Sequence, residues 1–306
     1  MVHWPAVSRT ARRPLTRATL VDPRLLVVAA ATLWGTTGTA RALGPADASP
    51  TAVGAARMVV GGACLVAAAR WARVPAESGR PGGPMPAALV VAALALAAYQ
   101  PLFFGGVART GVAVGTVVGI GSAPVFAGLL GLVVRGEHAG PRWLAATALA
   151  VAGTALLVGT GGGDVDPVGI ALAVGAGLTY AVYALGTKLV LDRGWPADAV
   201  TVRALGLAGL VLVPVALVAG IGPLLTPGGL LMVAHLGVIT VAVAYVIFGR
   251  GLHGVGVGAA GTLTLAEPAT AATLGVVVLD ERFGGTTAAG IALIVAGLVV
   301  LVVQRR

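Results

Sequence analysis

The sequence predicts an all-α membrane protein with ten transmembrane helices, arranged as two inverted five-helix repeats. Three observations support this fold class: a composition too apolar for a soluble domain, ten apolar stretches of spanning length, and similarity between the halves of the chain. Of 306 residues, 58% are hydrophobic and 10% are charged, whereas a soluble domain carries about 25% charged residues. The 47 glycines suit helices that pack closely in lipid.

Ten stretches are long and apolar enough to cross a bilayer, which requires roughly 20 mainly apolar residues. The clearest runs from Gly111 to Val134, contains no charged residue, and lies between Arg109 and Arg135. Short connections rich in glycine, proline and charged residues separate the stretches. The predicted spans are residues 25–43, 51–70, 86–107, 111–134, 143–161, 168–187, 199–219, 228–249, 254–279 and 286–304.

The distribution of Lys and Arg predicts the orientation, because these residues accumulate in cytoplasmic loops. With a cytoplasmic amino terminus, fifteen of the 20 Lys and Arg residues lie inside, and only Arg41, Arg109 and Arg282 lie outside. Arg57 and Arg203 fall within spans. We therefore expect a multi-pass protein of the cytoplasmic membrane with both termini in the cytoplasm. The alternative, a cleaved signal peptide, requires a shorter apolar region than the first span provides.

The second half of the chain repeats the first at a nearly constant offset. The offset is 146 residues between Trp34 and Tyr180, and 144 residues between Pro124 and Pro268. Because each copy contains five spans, an odd number, the copies must lie in opposite orientations, as in many secondary transporters. The predicted organisation is a basic cytoplasmic tail (1–24), a first five-helix repeat (25–161), a linker (162–167), a second five-helix repeat (168–304) and a cytoplasmic C-terminus (305–306).

Several short motifs share their order and spacing with a known family. They are Trp34-Gly35, Arg57, Pro124 with Gly136-Glu137, and Glu267-Pro268 with Asp280-Glu281. With these motifs the chain resembles, over residues 25–304, the EamA-type members of the drug/metabolite transporter superfamily. The resemblance implies ten helices, a central cavity between the halves, and efflux of small metabolites such as amino acids or related solutes. The acidic residue that often precedes the proline is present as Glu267, but Ala123 replaces it in the first half.

Glu267 is the most informative single residue, because its place in the ninth span puts it near the middle of the bilayer. An ionisable group there costs at least about 2.5–3.5 kcal/mol on insertion scales and is usually functional. We expect it to face a cavity and to bind substrate or a coupling proton. Pro268 cannot donate a hydrogen bond to Thr264, which predicts an open carbonyl nearby. The structural alternative is a glutamic acid bonded to a neighbouring hydroxyl or backbone group.

The other candidate substrate-binding residues are aromatic or amide side chains at similar depth. Aromatic rings offer flat apolar faces, and Tyr and Trp add a polar tip. Anchoring at the membrane interface is the alternative for these rings, although Tyr99 and Tyr245 lie too deep for it. The candidates are Trp34, Tyr99, Gln100, Tyr180 and Tyr245.

Arg57 and Arg203 occupy matching positions in the two halves, each seven residues past a proline that opens a span. At that depth, about 10 Å, a long side chain can reach the lipid headgroups. The functional alternative is that these arginines gate the cavity or bind a carboxylate. Pro124 and Pro268 are expected to break their helices, because proline lacks an amide hydrogen.

No motif predicts catalysis, a cofactor or a metal site. The sequence lacks a nucleotide-binding P-loop, its histidines lack metal-binding spacing, and Cys64 is its single cysteine. The charges lie at the ends of spans, which indicates topology and not nucleic-acid binding. The expected partners are a small-molecule substrate and membrane lipid, with monomer and homodimer both open. The alternatives are a membrane-embedded enzyme or lipid-handling protein, and a structural or regulatory partner subunit.

The orientation can be tested with two topology reporters. A reporter fused after Arg306 should report a cytoplasmic position, and one inserted in the loop at 161–166 should report an external position, because the Lys and Arg bias places them there. Activity of each fusion in intact cells gives the answer. The opposite result from both fusions would reverse the topology.

Overall fold

The computed structural model describes residues 21–71, 85–138, 140–158, 166–280 and 284–302, with the backbone alone at 111–114, 117 and 287. Most of the basic tail and of the linker, Glu281, Arg282 and the C-terminal residues lie outside this part of the chain. Within it, all regular structure is helical. The helices are α1 (Pro23–Ala42), α2 (Pro50–Trp71), α3 (Ala87–Arg135), α4 (Pro141–Val158), α5 (Pro167–Leu191), α6 (Ala197–Val218), a 3₁₀ turn (Gly222–Leu225), α7 (Pro227–Ala234), a π-helix (His235–Val243), α8 (Ala244–His253), α9 (Val257–Leu263), α10 (Ala266–Leu279) and α11 (Gly285–Val302).

The helices α1 and α5 begin in the same way. The Asp22 carboxylate accepts a hydrogen bond from the amide of Arg24 at 2.8 Å, and Asp166 accepts one from Val168 at 2.9 Å. A proline follows each aspartate. Proline fits the first helical position because the amide there has no helical partner, and the aspartate satisfies a second free amide. The two predicted repeats therefore open with the same local structure.

Helix α3 has a continuous helical backbone but contains two spans. In a straight helix, Val107 and Gly115 would lie about 12 Å apart. A Cβ atom at Gly115 would instead lie 2.8 Å from the Cα atom of Val107, and Phe103 packs beside Gly119. The chain therefore folds back on itself here. The segments Ala87–Thr110 and Val118–Arg135 are separate spanning candidates, as the sequence predicts for spans three and four.

Seven helical segments in the described residues are long and apolar enough to cross a membrane. They coincide with seven of the ten predicted spans. The remaining predictions, 25–43, 143–161 and 286–304, coincide with α1, α4 and α11, which are 20, 18 and 18 residues long but are not among the seven. The all-helical membrane fold is therefore confirmed for the described part of the chain, while ten crossings stay a prediction.

Helices α4 and α11 pack through reciprocal glycine contacts. A Cβ atom at Gly153 would lie 2.6 Å from the carbonyl oxygen of Gly290, and one at Gly297 would lie 2.6 Å from that of Ala146. The two contacts are related by the repeat, because Gly153 and Gly297 lie 144 positions apart, as do Ala146 and Gly290. Contacts that recur when two copies exchange places are typical of a two-fold relation.

Helices α2 and α6 meet in a similar reciprocal way. A Cβ atom at Gly62 would lie 2.5 Å from the carbonyl oxygen of Leu205, and one at Gly209 would lie 2.8 Å from that of Met58. At both sites the glycine allows backbone to touch backbone, as small residues do between membrane helices. The halves thus adhere through close backbone contacts at two separate helix pairs.

Two irregular segments interrupt the second half. A π-helix over His235–Val243 separates α7 from α8, and the chain leaves the helix at Thr264 and Leu265, between α9 and α10. The amide of Glu267 donates to the carbonyl of Thr264 at 3.0 Å. The predicted open carbonyl at Thr264 is therefore wrong, because the turn tightens and Glu267 supplies the donor that Pro268 lacks.

The two prolines expected to break helices differ in their effect. The interruption between α9 and α10 lies just before Pro268. Helix α3, by contrast, continues through Pro124, so the break expected there is not seen. Membrane helices tolerate proline where neighbouring groups satisfy the freed backbone carbonyl.

The glycine contacts can be tested by adding one methyl group. Gly153→Ala should lower the free energy of unfolding by about 1–3 kcal/mol, because the methyl group meets the backbone of α11. The matched control is Gly38→Ala, since a Cβ atom at Gly38 in α1 would meet nothing within 4 Å. The control should keep or raise stability, because alanine favours helix over glycine by about 1 kcal/mol. Thermal unfolding in detergent measures both, and equal midpoints would contradict the close contact.

Candidate functional site

A small cavity lies at the centre of the bundle and is lined by both halves of the chain. Its volume is about 40 Å³. A space of this size holds water molecules but not a metabolite. The lining residues are Trp34, Arg57, Tyr99, Gly119, Ile120, Ala123, Tyr180, Tyr245, Thr264 and Glu267.

Aromatic rings form one wall of the cavity. The ring centroid of Trp34 lies 4.9 Å from that of Tyr245, 5.3 Å from that of Phe248 and 6.3 Å from that of Tyr180. Trp34, Tyr180 and Tyr245 are each less than 10% exposed. The four aromatic residues singled out from the sequence, Tyr99 included, therefore lie together, and burial inside the bundle excludes interfacial anchoring for Trp34, Tyr180 and Tyr245.

Glu267 is the carboxylate that lines the cavity. It lies at the start of α10, directly after the interruption, and its carbonyl oxygen would be 2.8 Å from a Cβ atom at Gly35 in α1. This close approach brings α1 and α10 together beside the site. Among the described residues, its carboxylate has no partner for a hydrogen bond or salt bridge.

Arg57 reaches the same cavity from α2. Its Nη2 atom donates to the Oε1 atom of Gln100 at 3.3 Å. The Arg57 side chain therefore points into the bundle and does not extend to the lipid headgroups, which was the alternative considered for it. Gln100 is 1% exposed and lies behind Arg57, since it is not among the residues that line the cavity.

Arg203, the repeat-related counterpart of Arg57, lies elsewhere. Its guanidinium carbon lies 5.2 Å from the centroid of the Trp195 ring, at a distance typical of a cation–π contact. It is not among the residues that line the cavity. The two arginines have equivalent sequence positions and different environments.

Unpaired hydrogen-bond donors surround Arg57. Trp34 Nε1, Arg57 Nε and Gln100 Nε2 are buried and have no hydrogen-bond partner among the described residues. These nitrogen atoms can only donate, with the Gln100 amide oriented by its bond to Arg57. Since buried polar groups are normally satisfied, this part of the site is arranged to receive acceptor atoms.

Several residues of the site escaped the sequence analysis. Tyr183 and Phe248 join the aromatic cluster, with ring centroids 6.2 Å apart. They follow Tyr180 and Tyr245 by three residues, and this helical spacing places each pair on one face. The pattern could have been found from the sequence. The lining positions Ile120 and Thr264 carry no comparable signal.

Metal ligation has no support at the described positions. In residues 21–71, 85–138, 140–158, 166–280 and 284–302, no three His, Cys, Asp or Glu side chains group together as ligands would. His235 instead contacts the Thr36 hydroxyl, with Nε2 and Oγ1 2.9 Å apart.

Comparison with known proteins decides the family. The EamA-like transporter family matches residues 24–159 and again residues 167–303. The chain belongs to this family. The resemblance found from the short motifs is thereby confirmed, and the protein is a membrane transporter with two EamA repeats.

Two known proteins are similar to this EamA-family transporter along most of its length. The uncharacterized transporter YwfM of Bacillus subtilis (strain 168) is 39% identical over 278 residues, which cover 90% of this chain and 92% of YwfM. A solved crystal structure matches with a TM-score of 0.75 at 23% identity, covering 91% of this chain and 97% of its own. That structure has the same fold.

Proposed function

We propose that this transporter is a secondary carrier that exports small metabolites, such as amino acids or related solutes, across the cytoplasmic membrane by alternating access. The central cavity is the observation that carries the proposal. Arg57 from the first half and Glu267 from the second half line one small space, and no salt bridge joins them. A carrier needs a site of this kind, between two bodies that can move against each other.

The packing of the halves supports an inverted repeat as the moving unit. Along α4 and α11 the contacts join 153 with 290 and 146 with 297, so the helices run antiparallel. A two-fold axis that exchanges two antiparallel helices lies perpendicular to them, hence in the plane of the membrane. Rocking of two such five-helix units, 25–161 and 168–304, would expose the cavity to each side in turn.

The chemistry of the cavity fits a solute with two opposite charges. Arg57 and Trp34, which line the cavity, carry donors without partners, and a guanidinium group binds a carboxylate strongly. Glu267 can accept an ammonium group of the same solute. The rings of Trp34 and Tyr245 add faces that attract a cation. An amino acid carries both a carboxylate and an ammonium group.

The small volume of the cavity indicates how the cycle proceeds. About 40 Å³ holds water but not an amino acid. Substrate entry therefore requires the helices around the cavity to separate. The interruption beside Glu267 and the π-helix in the eighth predicted span are natural places for such movement, since π-helical turns occur often at functional sites.

The substrate class can be tested with purified protein in proteoliposomes. We expect vesicles loaded with unlabelled amino acids to accumulate radiolabelled amino acids by exchange, with and without an imposed pH gradient. Export is tested in cells, where expression should raise the external level of the same solute. Failure of every amino acid to exchange would contradict this substrate class.

Substitution of Arg57 should weaken substrate binding, because it removes the cation that faces the solute carboxylate. A hydrogen bond to a charged group contributes about 1.5–3 kcal/mol, so Arg57→Gln should raise the apparent KM roughly 10- to 100-fold. Arg203→Gln is the matched control, since Arg203 occupies the equivalent position outside the cavity. Exchange kinetics in proteoliposomes give both values, and an equal effect of both changes would argue against a carboxylate subsite at Arg57.

Substitution of Glu267 should separate binding from proton coupling. Glu267→Gln keeps the size and the hydrogen bonding of the side chain but removes its titration. If a proton is coupled here, the folded variant should lose the response of transport to a pH gradient. If Glu267 binds only the amine, the apparent affinity should fall instead. A folded variant with unchanged rate, affinity and pH response would show that the residue is structural.

A further inference from the structure

Four charged side chains are linked at one end of the bundle. Arg135, at the end of α3, bonds Glu137 at 2.7 Å through Nε and Asp192 at 2.5 Å through Nη1. Lys188, near the end of α5, lies 3.3 Å from the other carboxylate oxygen of Asp192. The four residues therefore form a continuous chain of ion pairs between α3 and α5.

Both ends of this chain attach to the same connecting segment. Glu137 accepts a hydrogen bond from the amide of Val257 at 3.0 Å, and Lys188 donates one to the carbonyl of His253 at 2.7 Å. Residues 253 and 257 flank the short turn between α8 and α9. The contacts thus close into a ring, which we call the ionic ring: Arg135, Glu137, Lys188, Asp192 and the 253–257 turn.

The ionic ring ties together the two predicted repeats. Arg135 ends α3 and Glu137 comes two residues later, both in the first repeat, whereas the other members belong to the second. The side chain of Lys188 is 7% exposed and that of Arg135 is 21% exposed. Solvent and salt screen such half-buried pairs less than fully exposed ones.

The ionic ring lies beyond one end of the central cavity. Eight residues of α5 separate Tyr180 in the cavity from Lys188 in the ring, which corresponds to about 12 Å. Near the ring, the Trp143 indole packs against Gly128 of α3 and Gly258 of α9, the residue after Val257. Any movement that separates α3 from α9 at this end breaks the contact between Glu137 and Val257.

Three of the four charged positions of the ring have no charged counterpart in the other repeat, while Glu281, the counterpart of Glu137, lies outside the described residues. At the repeat-related positions, Leu279 replaces Arg135, Ala42 replaces Lys188 and Ala46 replaces Asp192. The Arg109–Asp166 pair, which involves other positions, has side chains 54% and 30% exposed, and exposed pairs of this kind contribute little.

We infer that the ionic ring is a one-sided latch that holds the transporter closed at this end. The distribution of Lys and Arg assigns this end to the cytoplasm. The latch biases the empty carrier toward the state that opens outward, although the two halves share one fold. The inference rests on the proposed alternating access, but it does not depend on the identity of the substrate.

A single cysteine in the cavity can report which side is open. Ile120 lines the cavity, so Ile120→Cys in a Cys64→Ala background provides the probe. Its reaction with a small membrane-impermeant thiosulfonate is measured in intact cells and in inside-out vesicles. Adding Asp192→Asn should raise the rate from the cytoplasmic side about fivefold, as loss of a modest ion pair predicts, and should lower the rate from outside.

Asp198→Asn is the matched control. Asp198 pairs with Arg250 at 2.7 Å, but both side chains are at least half exposed and join α6 to α8 within the second repeat. This change should leave both labelling rates as they were. Arg135→Lys is a second, milder variant, which keeps the charge but loses simultaneous contact with Glu137 and Asp192, and it should shift the rates in the same direction as Asp192→Asn.

Two results would overturn the latch. One is an unchanged ratio of inside to outside labelling in folded Asp192→Asn and Arg135→Lys proteins. The other is an equal shift caused by Asp198→Asn. Either result would leave the proposed carrier function standing, because exchange in proteoliposomes tests that function separately.

Discussion

Contact between helix backbones at glycine positions is the interaction on which the rest of the structure depends. Lipid tails are as apolar as the side chains themselves, so the hydrophobic effect does not drive membrane helices together. Their association relies on close packing instead. Gly153 and Gly297 join α4 to α11, while Gly62 and Gly209 join α2 to α6. These contacts place the halves face to face, and larger side chains meet around the central cavity, at the aromatic cluster around Trp34.

The cavity itself does not follow the symmetry of the scaffold. Arg57 faces it while Arg203 stacks on Trp195, and Glu267 faces it where the other half presents Ala123. The first half therefore contributes one basic side chain to the cavity, and the second half contributes one acidic side chain. The ionic ring is asymmetric in the same sense, because three of its four charged members, Arg135, Lys188 and Asp192, have apolar counterparts. In the proposed carrier, the duplicated scaffold would supply the movement, and substitutions in single copies would supply the chemistry.

Depth and repetition in the sequence predicted much of this arrangement. Glu267, Trp34, Tyr99, Tyr180 and Tyr245 were found because polar or aromatic groups stand out in apolar spans, and they line one cavity. The surroundings of an individual side chain could not be predicted in the same way. Arg57 and Arg203 look alike in sequence, and only tertiary packing gives one a ring to stack on. The hydrogen bond that the Thr264 carbonyl accepts from Glu267 depends on a local turn, which could not be predicted from helical geometry.

The presence of Arg57 and Glu267 in one cavity bears on how the membrane voltage acts on the transporter. A charge carried across the membrane gains or loses about 2.3 kcal/mol per 100 mV. With both side chains ionised, the empty site is neutral as a whole, and its reorientation moves no net charge through the field. A neutral dipolar solute preserves that balance. The rate of the cycle would then depend on solute gradients and hardly on the electrical potential. A carrier with a single charged group in its cavity would instead respond to that potential.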